Sequence, residues 1–390
     1  MKIFRITFIV LFFLLLALPS IQKYFGILPR VRVEGMSLPK LPKDVSISSA
    51  LSGELQKRFE QWFHRRNGLW EYFVRLDNQL NYKLFQQITS SYSSELLVGK
   101  DQVLFQRFYL NEWNNNTKIP DELLQHRVTL LKQTQDALAR RGIPMLVVIS
   151  ANHLAVNPGI VSGKFASPNR EQRLGTYQRM KPMLEAAGVN VLDGLNFFRQ
   201  EFAEGKLHFT PSGSHWDSVG ACLMANNILQ RAEELVGKPL AELTCYPVVA
   251  RETPRREELD LVQVANLWDA NLYQRQTNYP SASAVFPENA YKPNVLIVGT
   301  SFMFSLLQYL ERRNTVRNTD LFFYYKKHRR FPGGKLKAFE RQKIDWEKTL
   351  EGRDLVLIES SSALMHEAGF EFLMDVLSYL AHHPYKPAVQ

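Results

Sequence analysis

The chain has 390 residues, 45 % hydrophobic and 12 % aromatic, and a net charge of +10 at pH 7. This is ordinary globular material, enough for one large or two medium domains, without repeats or low-complexity segments. Two cysteines, Cys222 and Cys245, are too few for a disulfide framework or a zinc site; in an oxidising compartment they either pair or remain separate small buried hydrophobes.

In chain order, Lys2 and Arg5 precede an uncharged run from Ile6 to Gln22, rich in Leu, Phe and Ile. A run of this length sits near the lower limit for spanning a bilayer. With no clear A-x-A cleavage site after it, residues 1–25 read as a retained signal anchor rather than a removed signal peptide. Residues beyond about Lys23 then face the exported side. Export disfavours nucleic acid as a partner, and the positive charge suits anionic polysaccharide or phospholipid head groups. A linker over 26–48 leads to a helical arm and hairpin over 49–118. Leu55, Phe59, Trp62 and Phe63 recur with helical spacing, as do Leu69, Phe73, Leu76, Leu80 and Leu84 after Asn67-Gly68. The stripe reads as a face packing on the main domain. ELLVGKDQVLF reads as a hairpin around Gly-Lys-Asp.

Residues 119–385 alternate strand and helix. A helix over 121–141 leads to a buried strand, Pro144 to Ile149; a helix over 171–187 leads to a short strand ending at Asp193, then a helix over 196–204. A loop carrying His215 precedes a helix that ends at Gly237, and 245–287 has no strong period. Strands follow at Val295–Val298, Leu321–Tyr325 and Asp354–Ile358. This pattern predicts an α/β fold with a mostly parallel sheet covered on both faces by helices.

Two residues carry the chemical reading. Ser301, in Gly299-Thr300-Ser301, sits where a buried strand turns into a helix. At such a strand end ligands bind, and backbone N–H groups of the following helix stabilise a negative oxygen. The alternative is that Thr300 or Ser301 merely caps the helix. His215 lies in a Gly/Ser/Pro loop and is a base of suitable pKa for a serine hydroxyl, the alternative being a loop histidine satisfied by backbone. Tyr324-Tyr325 followed by Lys326, Lys327, His328, Arg329 and Arg330 reads either as an anionic-glycan contact or as a solvated loop with core tyrosines.

In chain order, FEQWFHRRNGL, LLVGKDQVLF, SGSHWD before a Gly-Ala helix, and GTSF together resemble the AlgX/AlgJ group of SGNH-hydrolase-like polysaccharide O-acetyltransferases, the alginate acetylation proteins, from about Phe59 to Phe372. The resemblance implies a circularly permuted SGNH-hydrolase-like fold in which the histidine precedes the serine. It implies Ser301 as nucleophile and His215 as base. The group's Asp-x-His-Trp is replaced here by Gly213-Ser214-His215-Trp216, so the orienting acid is missing from its expected place, a loss on the order of 10⁴ in rate in the serine-protease template. Asp217, Asp193 and Glu359 are the candidate substitutes, Asp217 reading also as a helix N-cap. The Ser301 backbone N–H is the expected oxyanion donor.

The activity implied is transfer of acetyl groups to hydroxyls of an exopolysaccharide by an exported protein at the periplasmic face of the inner membrane, or free in the periplasm if the anchor is cleaved. No cofactor or metal motif is present, and a membrane-bound O-acyltransferase is the implied acetyl-donor partner. A carbohydrate esterase and a catalytically silent scaffold or glycan-binding subunit are the rival readings, Gly213 supporting the last.

Overall fold

The computed structural model describes residues 2–29, 31–35, 39–43, 45–89, 96–252, 254, 256–269, 273 and 276–383. Glu95, which opens the expected hairpin, and residues 384–385 of the expected α/β domain lie outside them. The chain forms two compact units. One is Met1–Val98 with Asp260–Tyr273, the other Gly99–Leu259 with Gln274–Gln390. Their division falls after Val98, whereas the sequence suggests 118, and residues 260–273 return to the first unit.

The first unit begins with helix α1, Lys2–Phe25, long and apolar enough to cross a membrane by length and composition. Helices α2 (Ile47–Leu51), α3 (Glu54–His64) and α4 (Trp70–Phe85) follow. The apolar stripe expected to be a packing face is exposed instead. Phe59, Phe63, Phe73, Leu76, Leu80 and Leu84 are between 47 % and 68 % exposed. On α4 the buried residues are Asn78, Gln79 and Tyr82. Their partners lie in residues 265–273: Asn78 donates to the Ala265 carbonyl (2.8 Å), Gln79 accepts from the Asp269 N–H (2.9 Å), and the Tyr82 and Tyr273 hydroxyls are 3.0 Å apart. Strand Leu96–Val98 ends this stretch of the first unit; the Gly-Lys-Asp segment after it, whose turn closes with Gly99 N–H to Val103 C=O at 2.8 Å, and strand Leu104–Gln106 belong to the second.

The second unit is built on a seven-stranded sheet. Its strands are β1 (Met145–Ser150), β2 (Val191–Asp193), β3 (Asn294–Gly299), β4 (Asn318–Phe323), β5 (Lys327–Phe331), β6 (Lys337–Ala338) and β7 (Leu355–Ser361), in the spatial order β6-β5-β4-β3-β7-β1-β2. The five strands β4, β3, β7, β1 and β2 are mutually parallel; β5 and β6 add antiparallel at one edge. The central strands β1, β3 and β7 are buried at nearly every position because both faces are covered. In β1, Leu146 and Val148 face one core with Ile297, Leu357 and Trp216, while Met145, Val147 and Ile149 face the other with Leu296, Val298 and Ile358. Helices Ser218–Val236 and Phe302–Leu310 supply the first core, Asp121–Ala139 and Phe372–His382 the second.

This is the expected α/β fold, with four differences in detail. The helix expected over 171–187 begins only at Thr176, after a 3-10 turn at Arg170–Gln172. Residues 245–287, without period in the sequence, include the antiparallel pair Val248–Arg251 and Thr277–Pro280. The strand expected to run to Tyr325 stops at Phe323, where Tyr324 and Tyr325 take φ of 48° and 50°. The basic run after them forms β5, between β4 and the two-residue edge strand β6: Arg329 pairs with Glu311, and His328 and Arg330 each lie 2.9 Å from Asp320. Cys222 and Cys245 are disulfide-bonded, joining the helix Ser218–Val236 to the segment after strand Glu242–Thr244.

Candidate active site

β1 leads to β2 on one side of the sheet, whereas β3 leads to β4 on the other, and β7 lies between β1 and β3. The carboxyl ends around β7 are therefore the topological switch point, where an open α/β sheet leaves a crevice. Ser301 stands there, two residues beyond β3. Its backbone is already helical (φ −63°, ψ −20°), and its hydroxyl makes no capping bond to the helix Phe302–Leu310. It lies instead 2.8 Å from His215 Nε2. Ser301 is therefore not a side-chain N-cap of this helix, while the Thr300 hydroxyl accepts from the Phe302 N–H at 3.5 Å.

Glu359, on β7, shapes the turn. Its carboxylate accepts from the Thr300 N–H at 2.6 Å and from the Thr300 hydroxyl at 2.9 Å. Gly299 is needed for this approach, because a Cβ there would stand 2.9 Å from Glu359 Oε2 and 2.7 Å from Met303 Cγ. Glu359 is fully buried. Burial pushes its pKa up, against the Thr300 bonds and the nearby His215 imidazole, which favour the carboxylate.

The histidine loop is closed on itself and tied to the serine helix. An isolated bridge joins Phe209 to Trp216, and the Asp217 N–H donates to the His208 carbonyl at 2.8 Å. The Thr210 and Ser212 hydroxyls both donate to the Glu258 carbonyl at 2.7 Å. The buried Glu258 carboxylate receives the Ser218 N–H at 2.9 Å and the Tyr279 hydroxyl. Trp216, 1 % exposed, donates its indole N–H to Ser305 Oγ at 2.7 Å, and the Tyr309 hydroxyl donates to the Ser218 carbonyl at 2.8 Å. Phe302 packs 4.5 Å from the His215 ring and 4.9 Å from the Trp216 ring. These contacts bring together two residues 86 positions apart.

The three candidate acids part company. Asp217 caps the helix Ser218–Val236 through the Gly220 N–H at 2.7 Å and lies 3.8 Å from His208, a different histidine. Asp193 caps the helix Gly194–Ala203 through the Asn196 N–H at 2.9 Å and receives the Tyr177 hydroxyl at 2.7 Å. Glu359 alone of the three sits beneath the Ser301 turn. The Ser214 hydroxyl is 3.3 Å from His215 Nδ1. At Gly213, where the resemblance calls for Asp, a Cβ would stand 3.0 Å from the Glu258 carbonyl oxygen, so Glu258 crowds the space an acid would need.

Tyr324 was not legible as a neighbour of Ser301. Burial raises its pKa, and the nearby polar groups of Ser301 oppose that rise. Its left-handed φ turns it back over the end of β3, where its N–H donates to the Gly299 carbonyl at 2.9 Å. Such a conformation is costly for a tyrosine and persists where surrounding structure holds it. The sequence signal was a Tyr-Tyr pair at the end of a strand that proves to adjoin β3. Tyr325 is buried, its hydroxyl donating to Asp375 at 2.8 Å.

The family model for the SGNH hydrolase-like domain of the acetyltransferase AlgX matches residues 96–315, a span that holds both His215 and Ser301. The chain belongs to this family. It is an SGNH-type acyltransferase. Similar solved structures include the O-acetyltransferase domain of Pseudomonas putida AlgJ, at 16 % identity and TM-score 0.46, covering 73 % of this chain and 99 % of that one. Pseudomonas aeruginosa AlgX is similar at 14 % identity and TM-score 0.44, covering 72 % of this chain and 67 % of its own. Bacillus cereus PatB1 is similar at 9 % identity and TM-score 0.41, covering 69 % and 96 %. No curated protein matches the chain.

Proposed function

We propose that this protein transfers acetyl groups onto hydroxyls of an exported polysaccharide, with Ser301 as nucleophile and His215 as base. The observation that carries the reading is the 2.8 Å contact between His215 Nε2 and Ser301 Oγ at the crevice of the sheet. In the first half-reaction Ser301 Oγ attacks the acetyl carbonyl of the donor and its proton passes to His215 Nε2. The carbonyl oxygen becomes an oxyanion facing the Ser301 N–H. When the tetrahedral intermediate collapses, the donor's leaving group departs with the proton from His215. A sugar hydroxyl then attacks the acetyl-serine, gives its proton to His215, and leaves as the acetyl ester, while His215 returns the proton to Ser301. Glu359 holds Thr300, and hence the turn that carries Ser301. In this reading α1 anchors the protein in the inner membrane with the site on the periplasmic side, and a membrane-bound O-acyltransferase delivers the acetyl group.

The test is covalent labelling by a serine-directed sulfonyl fluoride together with acetylation of polymer in cells. Ser301→Ala abolishes both, and His215→Ala slows labelling. Acetylation that persists in Ser301→Ala cells overturns the enzymatic role and leaves a scaffold; release of acetate from acetylated polymer, without transfer, identifies an esterase.

A further inference from the structure

Helix α4 is inside out for a protein surrounded by water. An amphipathic helix ordinarily buries its apolar face, yet α4 buries Asn78, Gln79 and Tyr82 and presents Phe73, Leu76, Leu80 and Leu84 outward. These four positions follow i, i+3, i+7 and i+11 and so form one continuous stripe. On α3, Phe59 and Phe63 stack with ring centroids 6.3 Å apart and are likewise half exposed.

The position of this arm along α1 points to what covers the stripe. The α3–α4 corner is fastened to α1: the Gly68 N–H donates to the Pro19 carbonyl at 3.1 Å. A Cβ at Gly68 would collide with the Lys23 backbone nitrogen. Pro19 lies six residues before Phe25, the last residue of α1, or about 9 Å along a helix axis. With 24 residues, α1 is about 36 Å long, a little more than the ~30 Å hydrocarbon core of a bilayer. The attachment point therefore falls near the boundary between acyl chains and head groups. The residues around it suit that layer. Trp62 has Lys23 Nζ 5.9 Å and the Arg66 guanidinium 5.8 Å from its ring, the pairing of aromatic and basic side chains that marks membrane interfaces.

We propose that α3 and α4 form an interfacial arm whose apolar stripe lies against the phospholipid surface from which α1 emerges. The inference rests on the reading of α1 as a membrane anchor. It adds a second, lateral contact that fixes how the arm is oriented at the membrane, where a single spanning helix leaves rotation free.

The experiment uses the full chain in lipid-only nanodiscs. Both native cysteines are in the disulfide, so single cysteines introduced by Phe63→Cys, Leu80→Cys, Gln61→Cys and Leu11→Cys can each carry a nitroxide. Depth is read from collision with oxygen against a water-soluble nickel chelate. The expected result is a deep label at 11, labels at 63 and 80 about 5–10 Å below the head-group boundary, and a label in water at 61, on the opposite face of α3. Labels at 63 and 80 as wet as that at 61, with 11 still deep, overturn the arm while leaving the anchor standing. A label in water at 11 removes both. Labels at 63 and 80 that are wet in nanodiscs but shielded in native membranes assign the stripe to a protein partner and overturn the lipid contact.

Discussion

Ser305→Ala tests how the histidine loop is held on the serine helix. Ser305 Oγ accepts the indole N–H of Trp216 at 2.7 Å inside the core, and Trp216 is the neighbour of His215. Removing the acceptor leaves a buried N–H without its partner, at about 1–3 kcal/mol. Alanine returns roughly 0.5 kcal/mol as the better helix former, so the net loss is about 0.5–2.5 kcal/mol. The readouts are urea unfolding of the detergent-solubilised full chain and the rate of sulfonyl fluoride labelling at Ser301. If the bond positions His215, labelling slows by more than stability alone explains, since a misplacement of ~1 Å costs on the order of 10²-fold. Trp216→Phe removes the donor from the other side. On that background Ser305→Ala costs less, giving a coupling of roughly 1 kcal/mol where independent sites agree within about 0.5 kcal/mol. Additive losses together with an unchanged labelling rate would refute the reasoning, because the tryptophan would then be packing in place without orienting the loop.

Tyr324→Phe keeps the ring and removes the hydroxyl that faces Ser301; turnover of an activated acetyl ester falls while the melting temperature stays at the wild-type value, and unchanged turnover removes Tyr324 from the site. His208 offers a pH test: burial opposes its charge, but Asp217 and Glu201 prevail and hold its pKa above the ordinary value. A raised folded pKa stabilises the fold below the unfolded pKa of about 6.5, and that contribution disappears as pH rises through the folded value. Denaturant titrations of His208→Gln therefore show a loss at about pH 5.5 that shrinks at about pH 9. Replacing both Cys222 and Cys245 by serine opens a loop with a sequence separation of 23 and lowers stability by about 3 kcal/mol in the chain-entropy account, read from denaturant midpoints under non-reducing conditions.

The sequence alone determined whatever depends on local order. The buried run Val295–Val298 declared a parallel strand, and Gly299-Thr300-Ser301 declared the turn after it. The uncharged run Ile6–Gln22 declared a helix suited to a membrane, and Asp217 declared a helix cap. Each is legible because neighbours in the chain make the pattern. The tertiary structure decided what depends on residues far apart in the chain. It placed Glu359 beneath the serine turn, because β7 lies beside β3, and placed Asp193 and Asp217 at the starts of helices elsewhere. It set Tyr324 against Ser301, because β4 pairs with β3 in a register that ends both strands together. It also turned the arm outward: periodicity shows that an apolar stripe exists, but the buried bonds of Asn78, Gln79 and Tyr82 decide which face of α4 the folded unit keeps for itself.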